Sequence, residues 1–307
     1  MTYSVMELIE IFDGQFPYAL NCIFNRIPLL VRGYDSELLD DLVSSLALLC
    51  PQRHQMVFWR DFTAKDEFRA IWDEEKHNTE VDRSVFCCFS SNVELLVERI
   101  SNFSSWMIAL PTAGSLPASA STNPHSVIRE KALEHCGNVG TILVESPSVM
   151  TFSLAKHPEG NLELERSIVK KISIKRKQSL ERIRRLLSKS LRDLNVSPQI
   201  MQIVLQLEDE AKKLTSDVFK EEVNKYIHAA RRAATILSRV RLAREMGASI
   251  TLTDRSLCEA IGWKYGDIDS ILRLIHAEWH EDFSDCVRNG RFSGLGAWVD
   301  SMWGGGT

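Results

Sequence analysis

No stretch of the 307-residue chain reaches the roughly 18–20 consecutive apolar residues that a membrane-crossing helix needs. The N-terminus also lacks a charged segment leading into an apolar one, so neither a membrane span nor a secretory leader is expected. The seven cysteines (Cys22, Cys50, Cys87, Cys88, Cys136, Cys258, Cys286) are an odd number at irregular spacing and contain no CxxC. Neither a disulfide framework nor a zinc ribbon is implied, and a reducing compartment, cytoplasmic or nuclear, fits best. No GxSxG occurs. His276 and His280 lie four apart in "HAEWH", but Ala277 stands where a zinc protease needs its glutamate, so a surface histidine pair is the expectation. Cys136, next to His135, is read as a core residue. No cofactor is expected.

Glycine is scarce where it would matter most. "PLLVRGYDSELLDDLVSSLALL" (28–49) reads as a buried strand, a turn and an amphipathic helix, the arrangement that holds phosphates in nucleotide-binding proteins. A phosphate-binding loop needs several glycines whose N–H groups converge, a lysine for the outer phosphates and a hydroxyl for magnesium. This turn has Gly33 alone, no lysine, and four carboxylates, Asp35, Glu37, Asp40 and Asp41. Carboxylates in a first turn complement the helix dipole. They would also repel a triphosphate, so the unit is expected to support a fold and its acidic turn to meet a protein.

Short apolar runs at 27–32, 55–60, 84–89 and 105–110 alternate with helical periodicity at 36–49, 63–76 and 92–101. Runs without strict polar alternation suit strands buried on both faces, hence a mostly parallel sheet covered by helices. The Pro-, Gly- and Ser-containing segment 111–126 is a long loop, followed by a helix near 126–135 and a strand at 141–145. Around "HPEGN" the spacing suggests a hairpin over 150–165, with Phe152 and Leu154 facing Leu162 and Leu164. A basic strand, 167–177, would extend the sheet with Ile168, Ile172 and Ile174 on one face. From Ser179 the pattern is helical, and Phe219, Val223, Tyr226, Ala230, Ala233, Leu237 and Val240 form a seam of a central helix. The expected architecture is an α/β domain over 1–178 with a three-layer, mostly parallel sheet, then an α-helical domain over 179–307.

Net charge is only −4, but from Arg166 to Arg192 eleven Lys and Arg face one Glu, leaving the rest of the chain at about −14. Such asymmetry points to a surface that faces a polyanion. The candidate phosphate contacts are Lys170, Lys171, Lys175, Arg176, Lys177, Arg182 and Arg185. Aromatics are absent from this stretch, so contact would be with the backbone and not with bases. DNA or RNA is the expected partner, together with a protein partner; oligomeric state is not readable. One rival is a metal-dependent phosphodiesterase with Asp35, Asp61 and Glu145 at strand ends and Lys65 assisting. The other is a protein-only adaptor whose basic patch meets an acidic partner. Trp298 and Trp303, near the end, could serve an interaction tail or dock on the core.

Two stretches resemble known families. "ARRAATILSRVRLAREMGASITLTDRSLCEAI" (230–261) resembles the helical lid of AAA+ ATPases: an Arg-bearing helix, a glycine turn, then a Thr-Asp-capped helix. The resemblance implies an NTPase-like scaffold with a degenerate nucleotide site, as in non-catalytic subunits of replication and recombination assemblies, with Arg231 or Arg232 near the sensor arginine. "LTDRSLCEAIGWKYGDIDSILRLI" (252–275) resembles a helix-turn-helix. Thr253 or Asp254 would cap its first helix, Leu257 and Cys258 face the core, Gly262 make the turn, and Ile268, Ile271 and Leu272 pack the second helix. That second helix would present Lys264, Tyr265, Asp267, Asp269, Ser270 and Arg273, with Lys264 and Arg273 as nucleic-acid contacts; the aspartates oppose base reading.

Overall fold

The computed structural model describes residues 3–51, 85–93, 105–112, 128–131, 133–134, 137–156, 161–190, 197–265 and 268–288. The strand expected at 55–60, the helix at 63–76, nearly all of that at 92–101, all but the first two residues of the loop at 111–126, Asp61, Lys65, Cys136, Asp267, Trp298 and Trp303 lie outside them. The chain divides into two compact units, Met1–Asn224 and Lys225–Thr307.

The first unit is mixed α/β. Helix α1 (Val5–Phe12) opens with a capping box: Ser4 Oγ accepts from the Glu7 amide, and Glu7 Oε2 accepts from the Ser4 amide at 2.7 Å. Helix α2 (Phe16–Phe24) follows, with Pro17 in its first turn, where a missing N–H costs nothing. Strands β1 (Leu29–Gly33), β2 (Phe86–Cys88), β3 (Trp106–Pro111), β4 (Gly140–Ser146) and β5 (Val149–Leu154) form one sheet in the order β2-β3-β1-β4-β5. β1 is parallel to both β3 and β4, β2 is parallel to β3, and only β5 runs antiparallel. Leu29, Leu30 and Val31 are fully buried, as is nearly every residue of β3. Burial on both faces is what turns these strands into unbroken apolar runs. Towards the β5 edge one face is solvated, and Leu143 and Glu145 alternate with buried Ile142 and Val144.

Helix α3 (Ser36–Ala47) packs on β1, β2 and β3 through Leu39, Leu42, Val43 and Leu46; α1 packs on β5. Full burial of each such side chain stabilises by about 1.5–3 kcal/mol relative to exposure. Residues 128–131 are helical, within the helix expected near 126–135.

Two expectations are overturned between 150 and 177. The hairpin around "HPEGN" does not form. β5 instead turns back onto β4 through Pro147 and Ser148, as the edge strand of the sheet. Leu162 and Leu164, assigned to the return strand, are buried at the start of helix α4 (Glu163–Ser190), where Asn161 Oδ1 accepts from the Glu163 amide. The basic strand 167–177 is therefore part of that helix, which runs unbroken across residues 178 and 179. Leu164, Ile168 and Ile172 are buried at i, i+4 spacing, whereas Ile174, which completed the strand-like alternation, is exposed. The helical period wins because it buries three aliphatic side chains on one stripe and keeps the lysines in water. α2 packs against α4, and a buried hydrogen bond runs from Asn21 Nδ2 to Glu165 Oε1 at 2.9 Å.

Helix α5 (Ser197–Glu245) contains the division between the units. All seven seam residues, Phe219 to Val240, are buried. In the second unit, strand β6 (Leu252–Thr253) leads into helix α6 (Asp254–Ile261), helix α7 (Asp269–Trp279) follows, and β7 (Val287–Arg288) pairs in parallel with β6. Thr253 Oγ1 caps α6 by accepting from the Ser256 amide. Gly262 ends α6 at φ 70°, with the Trp263 amide bonded to the Cys258 carbonyl at 2.8 Å and the Gly262 amide to that of Glu259, a Schellman closure that a left-handed glycine permits. Tyr226 lies against Trp263 and donates its hydroxyl proton to the Ser270 carbonyl at 2.8 Å, joining α5 to α7. Arg241 stacks over Phe283 and pairs with Glu281, and Arg244 pairs with Asp285. No helix among the described residues is long and apolar enough to cross a membrane.

Candidate nucleic-acid interface

The strand-turn-helix at 28–49 is formed by β1 and α3, and polar groups at its turn are engaged within the fold. Asp35 Oδ1 accepts from the amides of Glu37 at 3.0 Å and Leu38 at 3.2 Å, the first-turn donors that an anion would use. Gly33 is required for packing: a Cβ there would meet the Val144 carbonyl oxygen at 2.7 Å and the Val144 Cβ at 3.2 Å. Its own carbonyl accepts from both the amide and the hydroxyl of Thr112, at 2.7 and 2.8 Å, tying β1 to the end of β3. Asp40 accepts from the amide and hydroxyl of Ser90 after β2. Two of the four turn carboxylates thus hold the fold, while Glu37 remains exposed. Tyr34 projects from the turn, 80% exposed.

α4 carries all seven basic residues between Lys170 and Arg185 expected to contact phosphate, and the structure sorts them. Lys171 Nζ lies 2.6 Å from Glu222 Oε2, and Glu222 is buried on α5. Arg176 is paired with Glu10 of α1. These two cations fasten α4 to the unit. Lys170, Lys175, Lys177 and Arg182 point into solvent and have no hydrogen-bond or charged partner among the described residues; Arg185 is exposed as well. At 3.6 residues per turn, Lys170 and Lys177 share one stripe with Arg166, and Lys175 and Arg182 share another. The stretch from Lys170 to Arg182 is about 18 Å long at 1.5 Å per residue. Glu163 and Glu165 occupy the first turn and the cations lie further along, the order the helix dipole favours.

In the second unit, Lys264 is exposed but precedes α7, so the expectation that the second helix presents Lys264 and Tyr265 is corrected. α6 ends at Ile261 and α7 begins at Asp269, farther apart than the three or four residues that join the helices of a DNA-binding helix-turn-helix. The reason is local: after Gly262 the chain folds Trp263 into the core, with Tyr265 edge-on to it at 5.0 Å, before α7 starts. On α7 itself Asp269 is exposed, while Ser270 and Arg273 are half-buried; Leu257, Ile268 and Ile271 are buried and Cys258 and Leu272 half-buried. Lys264 and Arg273 therefore do not share one open helical face.

A third cationic group, on α5, escaped the sequence-based assignment. His228, Arg231, Arg232 and Thr235 line an open recess of 430 Å³, and Arg239 is exposed one turn further on. The signal was present, because these positions are what remains once the seam Ala230, Ala233 and Leu237 is turned inward.

The nuclease triad is not assembled by the described residues: Asp35 caps α3 and Glu145 faces solvent. Among the described residues no group of three His, Cys, Asp or Glu is placed to hold a metal ion. His276 and His280 are both exposed, their rings 6.5 Å apart. Burial raises the thiols of Cys22, Cys87 and Cys88 and pushes that of Cys50 up to about 12, so these cysteines are held as neutral core groups. No family model, curated protein or solved structure matches the chain.

Proposed function

We propose that the protein is a non-catalytic, nucleic-acid-associated subunit of a larger assembly, and that it contacts phosphates through the exposed cations of α4. The observation that carries this reading is the division of labour on that helix: Lys171 and Arg176 are tied into the fold, whereas Lys170, Lys175, Lys177 and Arg182 remain exposed without partners among the described residues. An exposed lysine has no structural need for its neighbours to be cationic as well, since like charges on one face repel. Concentration of such charge on a chain of net −4 has a physical use if phosphates release their counterions to it.

The same reading takes the α/β unit as an NTPase-like, three-layer scaffold whose phosphate site has been converted into packing. Asp35 on the α3 amides and Gly33 against Val144 support that conversion. The unit from α6 to α7 is taken as a helix-turn-helix-like packing module facing a protein partner, supported by the half-burial of Arg273. The assembly would be cytoplasmic or nuclear.

Binding of labelled DNA and RNA, single- and double-stranded, across a salt series tests the reading. Changing Lys170, Lys175, Lys177 and Arg182 to Gln should flatten the dependence of log K on log salt by about 3–4, given roughly 0.9 for each phosphate that a cation neutralises on a duplex. Wild-type protein with no affinity even at low salt would refute it and leave the adaptor reading. Metal-stimulated cleavage of the labelled strand would refute the non-catalytic assignment.

A further inference from the structure

α5 carries a second cationic face that neither the fold nor the surface on α4 uses. Its seam turns Ala230, Ala233 and Leu237 inward, which leaves His228, Arg232, Thr235 and Arg239 on the opposite stripe with Arg231 beside it. The five arginines of this helix separate into two sets. Arg241 and Arg244 are committed to Glu281 and Asp285. Arg231, Arg232 and Arg239 are exposed and have no carboxylate or hydrogen-bond acceptor among the described residues for their guanidinium groups. Three arginines kept in water beside a histidine repel one another, and a bound polyanion removes that repulsion.

Two features specify the ligand. The face has no Trp, Tyr or Phe on which an unpaired base could stack, which disfavours a single strand. Arg231 and Arg239 stand about 12 Å apart along the axis at 1.5 Å per residue, comparable to the width of about 12 Å of a B-form major groove. The arginines at its two ends can thus meet both phosphate rows that border the groove. The major groove of A-form duplex RNA is too narrow for that arrangement. We infer that this face of α5 is a second phosphate-contacting surface and that its ligand is duplex DNA. The inference rests on the reading that the chain associates with nucleic acid, and it places a contact in the second unit.

The test uses the full chain and a labelled DNA duplex over a salt series, with a duplex RNA of the same length beside it. Wild type is compared with four variants: Arg231→Gln with Arg232→Gln and Arg239→Gln; the same three positions changed to Lys; Arg239→Gln alone; and the α4 variant with Lys170, Lys175, Lys177 and Arg182 changed to Gln. The Gln variant should flatten the slope of log K against log salt by about 2–3, and single Arg239→Gln by about 1. The Lys variant should keep the wild-type slope, and helix content by circular dichroism should be unchanged in all. Wild-type slope and affinity in the Gln variant, with loss confined to the α4 variant, would overturn this inference and leave the function intact. Loss to the same extent in Lys and Gln variants would overturn it too, because charge would not be what binds. A larger loss on duplex RNA than on DNA would overturn the choice of ligand. No binding by the wild type would overturn both proposals.

Discussion

Replacing Gly33 by alanine puts a methyl group 2.7 Å from the Val144 carbonyl oxygen, where ordinary contact begins at 3.4 Å, so the two atoms must separate by about 0.7 Å. Neither can swing aside. Both belong to the backbone of a parallel ladder in which Gly33 lies opposite Val144 on one side and Pro111 on the other. Overpacking of this kind costs about 1–3 kcal/mol, partly offset by the 0.5–1 kcal/mol that alanine gains over glycine in regular structure. The net expectation is a loss of roughly 1–2 kcal/mol, read as a fall in melting temperature of about 2–8 °C for a unit of this size. The matched control is Gly14→Ala, whose added methyl meets nothing within 4 Å and which should be neutral or slightly stabilising. Scanning calorimetry on the three proteins measures both effects. A Gly33→Ala protein that melts with the wild type would refute the packing explanation, and the turn would again be open to a role in holding phosphate.

Tyr226→Phe removes the hydroxyl that reaches the Ser270 carbonyl at 2.8 Å from a side chain 1% exposed. The expected cost is about 1–2 kcal/mol in urea unfolding, and an unchanged midpoint would contradict the link between α5 and α7. Glu7 is set by opposing causes: partial burial pushes its carboxyl up, while the hydrogen bonds from Ser4 and the nearby Lys212 outweigh that and hold it below the ordinary value of 4.5. A depressed carboxyl contributes stability that is present above its unfolded value and is lost as pH falls through the folded one. The gap in stability between wild type and Glu7→Gln should therefore be full near neutrality and close on acidification below 4.5; a gap independent of pH would contradict the assignment.

Much of the chain could be read locally. The runs at 27–32, 84–89 and 105–110 announce β1, β2 and β3 because strands covered on both faces need apolar side chains at every position, and the run at 141–145 announces β4, where buried Ile142 and Val144 alternate with exposed Leu143 and Glu145. The helix at 36–49, the Thr253 cap, the Gly262 stop and the seam from Phe219 to Val240 follow from periodicity and capping chemistry that neighbouring residues set among themselves. The concentration of cations between Arg166 and Arg192 is likewise a property of sequence alone.

Three-dimensional structure decided what long-range partners decide. Whether 167–177 would be strand or helix turned on α2 offering a surface for the stripe of Leu164, Ile168 and Ile172; a short apolar run satisfies both periods until a partner selects one. Which cations on α4 are structural was set by Glu10 and Glu222, residues distant in sequence. The purpose of Gly33 depended on a carbonyl more than a hundred residues away in β4. Composition determined that the chain carries a basic surface, and tertiary packing chose the residues that face outward on it, because an ion pair or a close backbone approach exists only once two remote segments meet.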